Sequence, residues 1–211
     1  MGLARFFRWF GLPGPLVLTA LLSLFALTLA GLFPSLPRWL CAAGMLCSSL
    51  GDILLMNYRP ITDRLPFRGF AAGAAAFMLA HGCYMTAFFA AAARRGRLLT
   101  PTIGAGAVLF AAMLALLLCL YRRNSKAKRS RVMLCVAYLV VISACCTAVF
   151  TFAWHRGPIG TCSALGALLF FASDVIIGFE QVGGIRPAHA DDWIWWLYPL
   201  GQMLLIGGLW V

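Results

Sequence analysis

Seven runs of apolar residues divide the chain: 16–33, 39–56, 69–93, 99–120, 132–154, 159–179 and 193–211. Each is close to the roughly 20 residues that a helix needs to cross a bilayer. Short polar stretches separate them. Residues 57–68 hold Pro60, Asp63 and Pro66, and Arg94, Arg95 and Arg97 make a basic turn. Residues 122–131 (RRNSKAKRSR) form the most basic loop, His155-Arg156-Gly157-Pro158 is a tight connection, and residues 180–192 are the last loop. Ahead of the first run, Leu3, Phe6, Phe7 and Phe10 share one helical face and Arg5 and Arg8 the other. That pattern suits a short interfacial helix, ended by Pro13 and Pro15. A cleaved signal peptide is the rival reading there, but the first run is longer than the about 7–15 residues of a signal's apolar core. The pattern predicts an all-α, polytopic transmembrane helical bundle of about seven spans, with residues 1–211 forming a single integral membrane domain.

Composition sharpens the class. Of the 211 residues, 63% are hydrophobic and 11% charged, against about 25% charged in soluble domains. A soluble chain of this length could not hide that much apolar surface. The net charge of +11 would suggest nucleic acid in a soluble protein. Here the basic residues lie between apolar runs, so the charge reads as topology and attraction to anionic lipid headgroups instead. The eight cysteines form no CxxC and lie in or beside apolar runs, where cysteine behaves as a small apolar residue. No HExxH or paired ExxH spacing occurs, and neither a metal nor a cofactor is expected.

The distribution of Lys and Arg gives an orientation. Alternate connections carry twelve of the 17 on the side of the N-terminus and five on the other, which puts the N-terminus in the cytoplasm. The expected location is the bacterial inner (cytoplasmic) membrane. Depths then follow from 1.5 Å per helical residue. Asp52 lies about 7 Å below the cytoplasmic end of its span, Asp174 and Tyr198 about 9 Å, Gln202 about 15 Å and His81 about 18 Å. The embedded polar groups therefore share the cytoplasmic half, and a pocket toward the cytoplasmic leaflet is the simplest assembly.

Asp52 and Asp174 are the only acidic residues inside apolar runs. An aspartate at the centre of a membrane helix costs about 2.5–3.5 kcal/mol on insertion scales, so its presence points to function. Two close carboxylates in a low dielectric do not both carry charge. One then serves as general acid and the other as general base. The structural alternative is that each caps a neighbouring helix or reaches the interface. His81, Tyr84, Ser173, Tyr198 and Gln202 are candidate substrate-binding groups, with interhelical hydrogen bonding as the alternative for each. Periodicity lines up Gly166, Phe170, Ser173/Asp174 and Ile177 on one span, Gly73, Phe77, His81, Tyr84/Met85 and Phe88 on another, and Trp195, Tyr198, Gln202 and Leu205 on the last. Trp193, Trp195 and Trp196 read as an interfacial aromatic belt.

At these residues the chain resembles a known family. The run Ser49-Leu50-Gly51-Asp52-Ile53-Leu54-Leu55, then Gly73-x-x-x-Phe77-x-x-x-His81-x-x-Tyr84, then Gly166-Ala167-Leu168-Leu169-Phe170-x-x-Ser173-Asp174, then Tyr198-x-x-x-Gln202 is similar to the YhhN (lysoplasmalogenase) family. The resemblance covers roughly Trp39 to the C-terminus. It implies a multi-span helical enzyme that hydrolyses the vinyl ether bond of lysoplasmalogen, a lysophospholipid, to a fatty aldehyde and a glycerophospho-base. It also implies that Asp52 and Asp174 form the acid–base pair. The family usually has one more helix than these seven, so eight spans is the alternative count. Two other functions fit the embedded Asp and His residues: a proton-coupled transporter or lipid-handling protein, and a non-catalytic scaffold. The concentration of polar groups in one half of the membrane favours the enzyme. Oligomeric state is not legible in the sequence.

Overall fold

The computed structural model describes residues 14–66, 69–93, 102–124 and 126–209. Seven long helices and one short one make up these segments: α1 Gly14–Leu32, α2 Leu36–Leu55, α3 Arg59–Thr62, α4 Phe70–Ala93, α5 Thr102–Arg123, α6 Arg129–Arg156, α7 Pro158–Gln181 and α8 Ala190–Gly207. The expected interfacial helix at residues 1–10 and the basic turn at Arg94–Arg97 lie outside the described residues. Every predicted run from 16–33 onward coincides with a long helix to within a few residues, because the alternation of apolar run and polar break is the boundary signal.

The last helix is less apolar than the other long helices. Six of the long helices, α1, α2 and α4 to α7, are long and apolar enough to cross a membrane. The seventh, α8, is not counted among them. It starts three residues earlier than the sequence pattern suggests and takes Asp191 and Asp192 into its first turn. Its inward face also carries Tyr198 and Gln202. Those polar residues dilute its hydropathy, although its 18 residues rise about 27 Å. No eighth long helix occurs among the described residues.

Neighbouring helices close into a ring. α1 packs on α2, α2 on α4, α4 on α6, α6 on α7, α7 on α8, and α8 returns to α1. α5 stands outside and packs chiefly on α6. Large apolar side chains point outward all around this ring, among them Leu24, Phe25, Leu79, Val108, Leu165 and Met203, as a lipid-facing surface requires. Trp193 and Trp196 face outward near the start of α8, as an aromatic belt demands, whereas Trp195 turns inward against the core.

The closest helix crossings are made by glycine. In hydrocarbon there is little hydrophobic gain in bringing helices together, so van der Waals packing and small residues set the approach. A Cβ at Gly166 of α7 would collide with the backbone of Leu205 and Gly201, and one at Gly201 of α8 would lie 2.8 Å from the nitrogen of Phe170. On α2 and α4, a Cβ at Gly51 would lie 2.6 Å from the Phe77 ring, and one at Gly73 would meet Leu55. The α6–α7 connection is Gly157 alone. Its φ of +66° is a backbone region that favours glycine, and Pro158 then opens α7 at a position where its missing N–H costs nothing.

Gly166→Ala is expected to lower stability by about 1–3 kcal/mol, since the atoms it meets are backbone and cannot swing away. Gly178→Ala, with nothing within 4 Å of its added methyl, is the matched control on the same helix. Thermal unfolding of both variants in detergent checks this, and equal stability of the two contradicts the packing account.

Candidate active site

The two aspartates come from opposite sides of the ring. Asp52 lies one turn from the end of α2 and is 7% exposed. Its Oδ2 accepts a 2.9 Å hydrogen bond from the phenol of Tyr198 on α8, and the Thr19 side chain of α1 also faces it. Asp174 on α7 has a matching arrangement, with its Oδ2 accepting a 2.9 Å bond from the phenol of Tyr138 on α6. The two carboxylates are within electrostatic reach of each other. Each is thus a carboxylate–phenol pair that ties together two helices.

An aromatic cluster fills the space between the pairs. Phe170 packs edge-on against His81 at 4.7 Å between ring centroids and against Tyr198 at 5.1 Å. His81 meets Tyr138 at 5.5 Å, and Phe77 meets Tyr198 at 5.9 Å. All these contacts are T-shaped, the geometry that aligns a ring's positive edge with a neighbour's negative face. His81 is buried, and its Nδ1 lies 2.7 Å from the Phe77 carbonyl one turn earlier on α4. That contact fixes the imidazole plane.

Beneath the cluster lies a third polar group. Tyr84 donates to Gln202 Oε1 at 2.9 Å, Gln202 Nε2 donates to Ser48 Oγ at 3.1 Å, and Ser48 lies 3.4 Å from the Tyr84 hydroxyl. All three residues are fully buried. They join α2, α4 and α8 and have no opening to the surface, so their arrangement is that of interhelical ties. Ser173 is turned away from Asp174 and donates to its own helix at Phe170 O, 2.7 Å.

A cavity of about 110 Å³ opens beside Asp174. Its lining comes from the end of α2 (Leu55), from Phe70, Ala74 and Phe77 of α4, and from apolar residues of α5, α6 and α7; Tyr138 and Asp174 supply the polar lining. Asp52, His81, Tyr84, Ser173, Tyr198 and Gln202 stand behind that wall. The predicted residues are therefore gathered in one region, but only Asp174 of them faces the cavity. Tyr138 is the residue that sequence reasoning missed. Its signal was faint: one phenol in the long apolar run 132–154, without a motif around it.

A family model matches residues 13–209, nearly the whole chain, under the description YhhN family. This protein belongs to the YhhN family. No curated protein and no solved structure gives a significant match.

Gln202→Leu removes both the acceptor for Tyr84 and the donor to Ser48. The expected loss is on the order of 1 kcal/mol, the scale of hydrogen bonds between membrane helices. Unfolding of the variant in detergent measures it, and an unchanged midpoint would mean that the triangle does not tie the helices.

Proposed function

We propose that this protein is a membrane hydrolase that cleaves the vinyl ether bond of lysoplasmalogen-type lysophospholipids, releasing a fatty aldehyde and a glycerophospho-base. The observation that carries the reading is the pair of membrane-embedded carboxylates, each bonded to a tyrosine phenol, with one of them opening into an apolar cavity. Membership in the YhhN family supports the same conclusion.

The chemistry needs little else. In the first step the π electrons of the vinyl ether take a proton from a carboxylic acid at the β-carbon, which leaves a carboxylate, and a lone pair of the ether oxygen stabilises the electron-poor α-carbon as an oxocarbenium ion. Water then adds to the α-carbon and gives up a proton to a carboxylate. The resulting hemiacetal collapses to the aldehyde and the glycerol hydroxyl. One proton donor, one proton acceptor and a nearby negative charge for the cation meet those demands. Asp174, which lines the cavity, is the group nearest a bound alkenyl chain in this scheme. Asp52 completes the acid–base pair behind Phe77, Phe170 and Tyr198. The two phenols hold their carboxylates in place, and the aromatic edges exclude bulk water from the cation. No metal or cofactor enters the scheme.

The cavity opens at the end of the bundle that carries the 122–131 loop. We assign that end to the cytoplasmic leaflet, since twelve of the 17 Lys and Arg belong to that side. A lipid with one tail enters such a site from its own leaflet with its headgroup remaining at the interface.

Purified protein is expected to release aldehyde from a vinyl-ether lysophospholipid, with Asp174→Asn and Asp52→Asn at least about 100-fold slower, the usual range for loss of a general acid or base. Full activity in a well-folded Asp174→Asn variant would sink the two-carboxylate mechanism. Tyr138→Phe should fall between wild type and the aspartate variants, because it removes a hydrogen bond to the carboxylate and leaves the carboxylate itself.

A further inference from the structure

The α6 residues that line the cavity are Leu134, Cys135, Tyr138, Leu139 and Ile142. They form one stripe at helical spacing. Continued one turn toward the helix N-terminus, that stripe reaches Arg131, in the first turn of α6. Arg131 is exposed, and its guanidinium lies over the ring of Phe70 at 5.9 Å. Phe70 is itself a cavity-lining residue at the start of α4. The guanidinium is therefore shelved on the rim of the cavity by an aromatic face. Among the described residues no carboxylate pairs with Arg131, although Arg186 is held by Asp191 and Glu180 on the neighbouring loop. A planar fork of donors without an anion, set at the mouth of an apolar slot, matches a phosphate whose alkyl chain occupies the slot.

We propose that Arg131 binds the phosphate of a single-chain phospholipid, so that it sets both the class of lipid accepted and the depth at which the chain sits. The inference rests on reading the cavity as the chain site. Spacing supports it independently of charge. From Arg131 to Tyr138 the helix rises about 10.5 Å. In a vinyl-ether lysophospholipid, about seven bonds separate phosphorus from the β-carbon, roughly 8 Å when extended at about 1.2 Å per bond, within about one helical turn of that rise. A phosphate held by Arg131 thus leaves the double bond at the level of Tyr138 and Asp174. The remaining chain runs deeper, toward Ile142 and Phe171. Arg131 acts here as a binding and positioning residue and takes no part in proton transfer.

Binding tests this apart from hydrolysis. The probe is a saturated 1-O-alkyl lysophospholipid, which keeps the phosphate and tail and has no vinyl ether. Its affinity for the full-length protein in detergent is followed by tryptophan fluorescence, beside 1-O-alkylglycerol, which lacks the phosphate, and inorganic phosphate. Arg131→Gln should weaken the lysophospholipid about tenfold or more, the scale of a lost charged hydrogen bond, and leave alkylglycerol within about twofold. Arg131→Lys should recover part of the loss, since the charge returns without the planar fork. Phe70→Leu should weaken lysophospholipid less than Arg131→Gln does. An unchanged lysophospholipid affinity in Arg131→Gln overturns the proposal, and so does an equal loss for both tailed ligands. Saturable inorganic phosphate binding with the same dependence on Arg131 also overturns it, by making the site one for free anions. If the binding pattern holds but wild type releases no aldehyde, the hydrolase reading fails and the phosphate site stands.

Discussion

Two carboxylates sit inside a bundle whose outer surface is hydrocarbon, and each must be met by a donor if the fold is to keep it. An unsatisfied polar group costs several kcal/mol in such surroundings. The donors are Tyr198 and Tyr138, at 2.9 Å in both cases. Each bond crosses between helices: α2 to α8, and α7 to α6. Satisfying the two aspartates thus ties α7 to its neighbour α6 and links α2 to α8, which do not pack side by side. The edge-on aromatic cluster then packs into the space they leave.

Around that constraint the bundle divides its work. Glycine contacts bring α7 close to α8 and α2 close to α4, while the phenols reach across two other pairs, α8 to α2 and α6 to α7. The buried Tyr84–Gln202–Ser48 triangle holds α2, α4 and α8 together deeper in the bundle. α5 contributes little to the ring, and its residues Met113, Leu116, Leu117 and Leu120 serve as one wall of the cavity. At the end of that wall, Asn124 donates to the Val182 carbonyl at 2.7 Å, tying the end of α5 to the loop after α7. A cavity walled by α2, α4, α6 and α7 of the ring and by the peripheral α5 suits the proposed single-chain lipid.

The cavity wall carries polar groups at two residues, Asp174 and Tyr138. Apart from Asp174 and Tyr138 the cavity wall is apolar, which suits the lipid chain of the proposed substrate. The remaining polar residues named by the sequence motifs stand one layer back. Their contacts are with helices and with one another, which is how a rigid wall is made: side chains that touch the ligand keep their geometry only if the layer behind them is locked.

The class of the protein, its long helices to within a few residues, and the two buried acids Asp52 and Asp174 were all legible in the order of residues. Those features are local: a run of some 20 apolar residues has one stable form in a bilayer, and a charge inside it stands out whatever the neighbours are. Periodicity also assigned inward faces correctly, for Phe77, His81 and Tyr84 on α4 and for Tyr198 and Gln202 on α8. Which inward residues meet was settled by packing. It paired Tyr138 with Asp174, put Gln202 and Tyr84 into a closed triangle, turned Ser173 onto its own helix, and left Asp174 at the cavity wall with Asp52 behind it. It also brought Phe70 under Arg131, from segments about sixty residues apart. Helical periodicity states which side of a helix faces inward, but rotation and the order of helices around the ring are set by glycine contacts and interhelical hydrogen bonds, which exist only once the chain has packed.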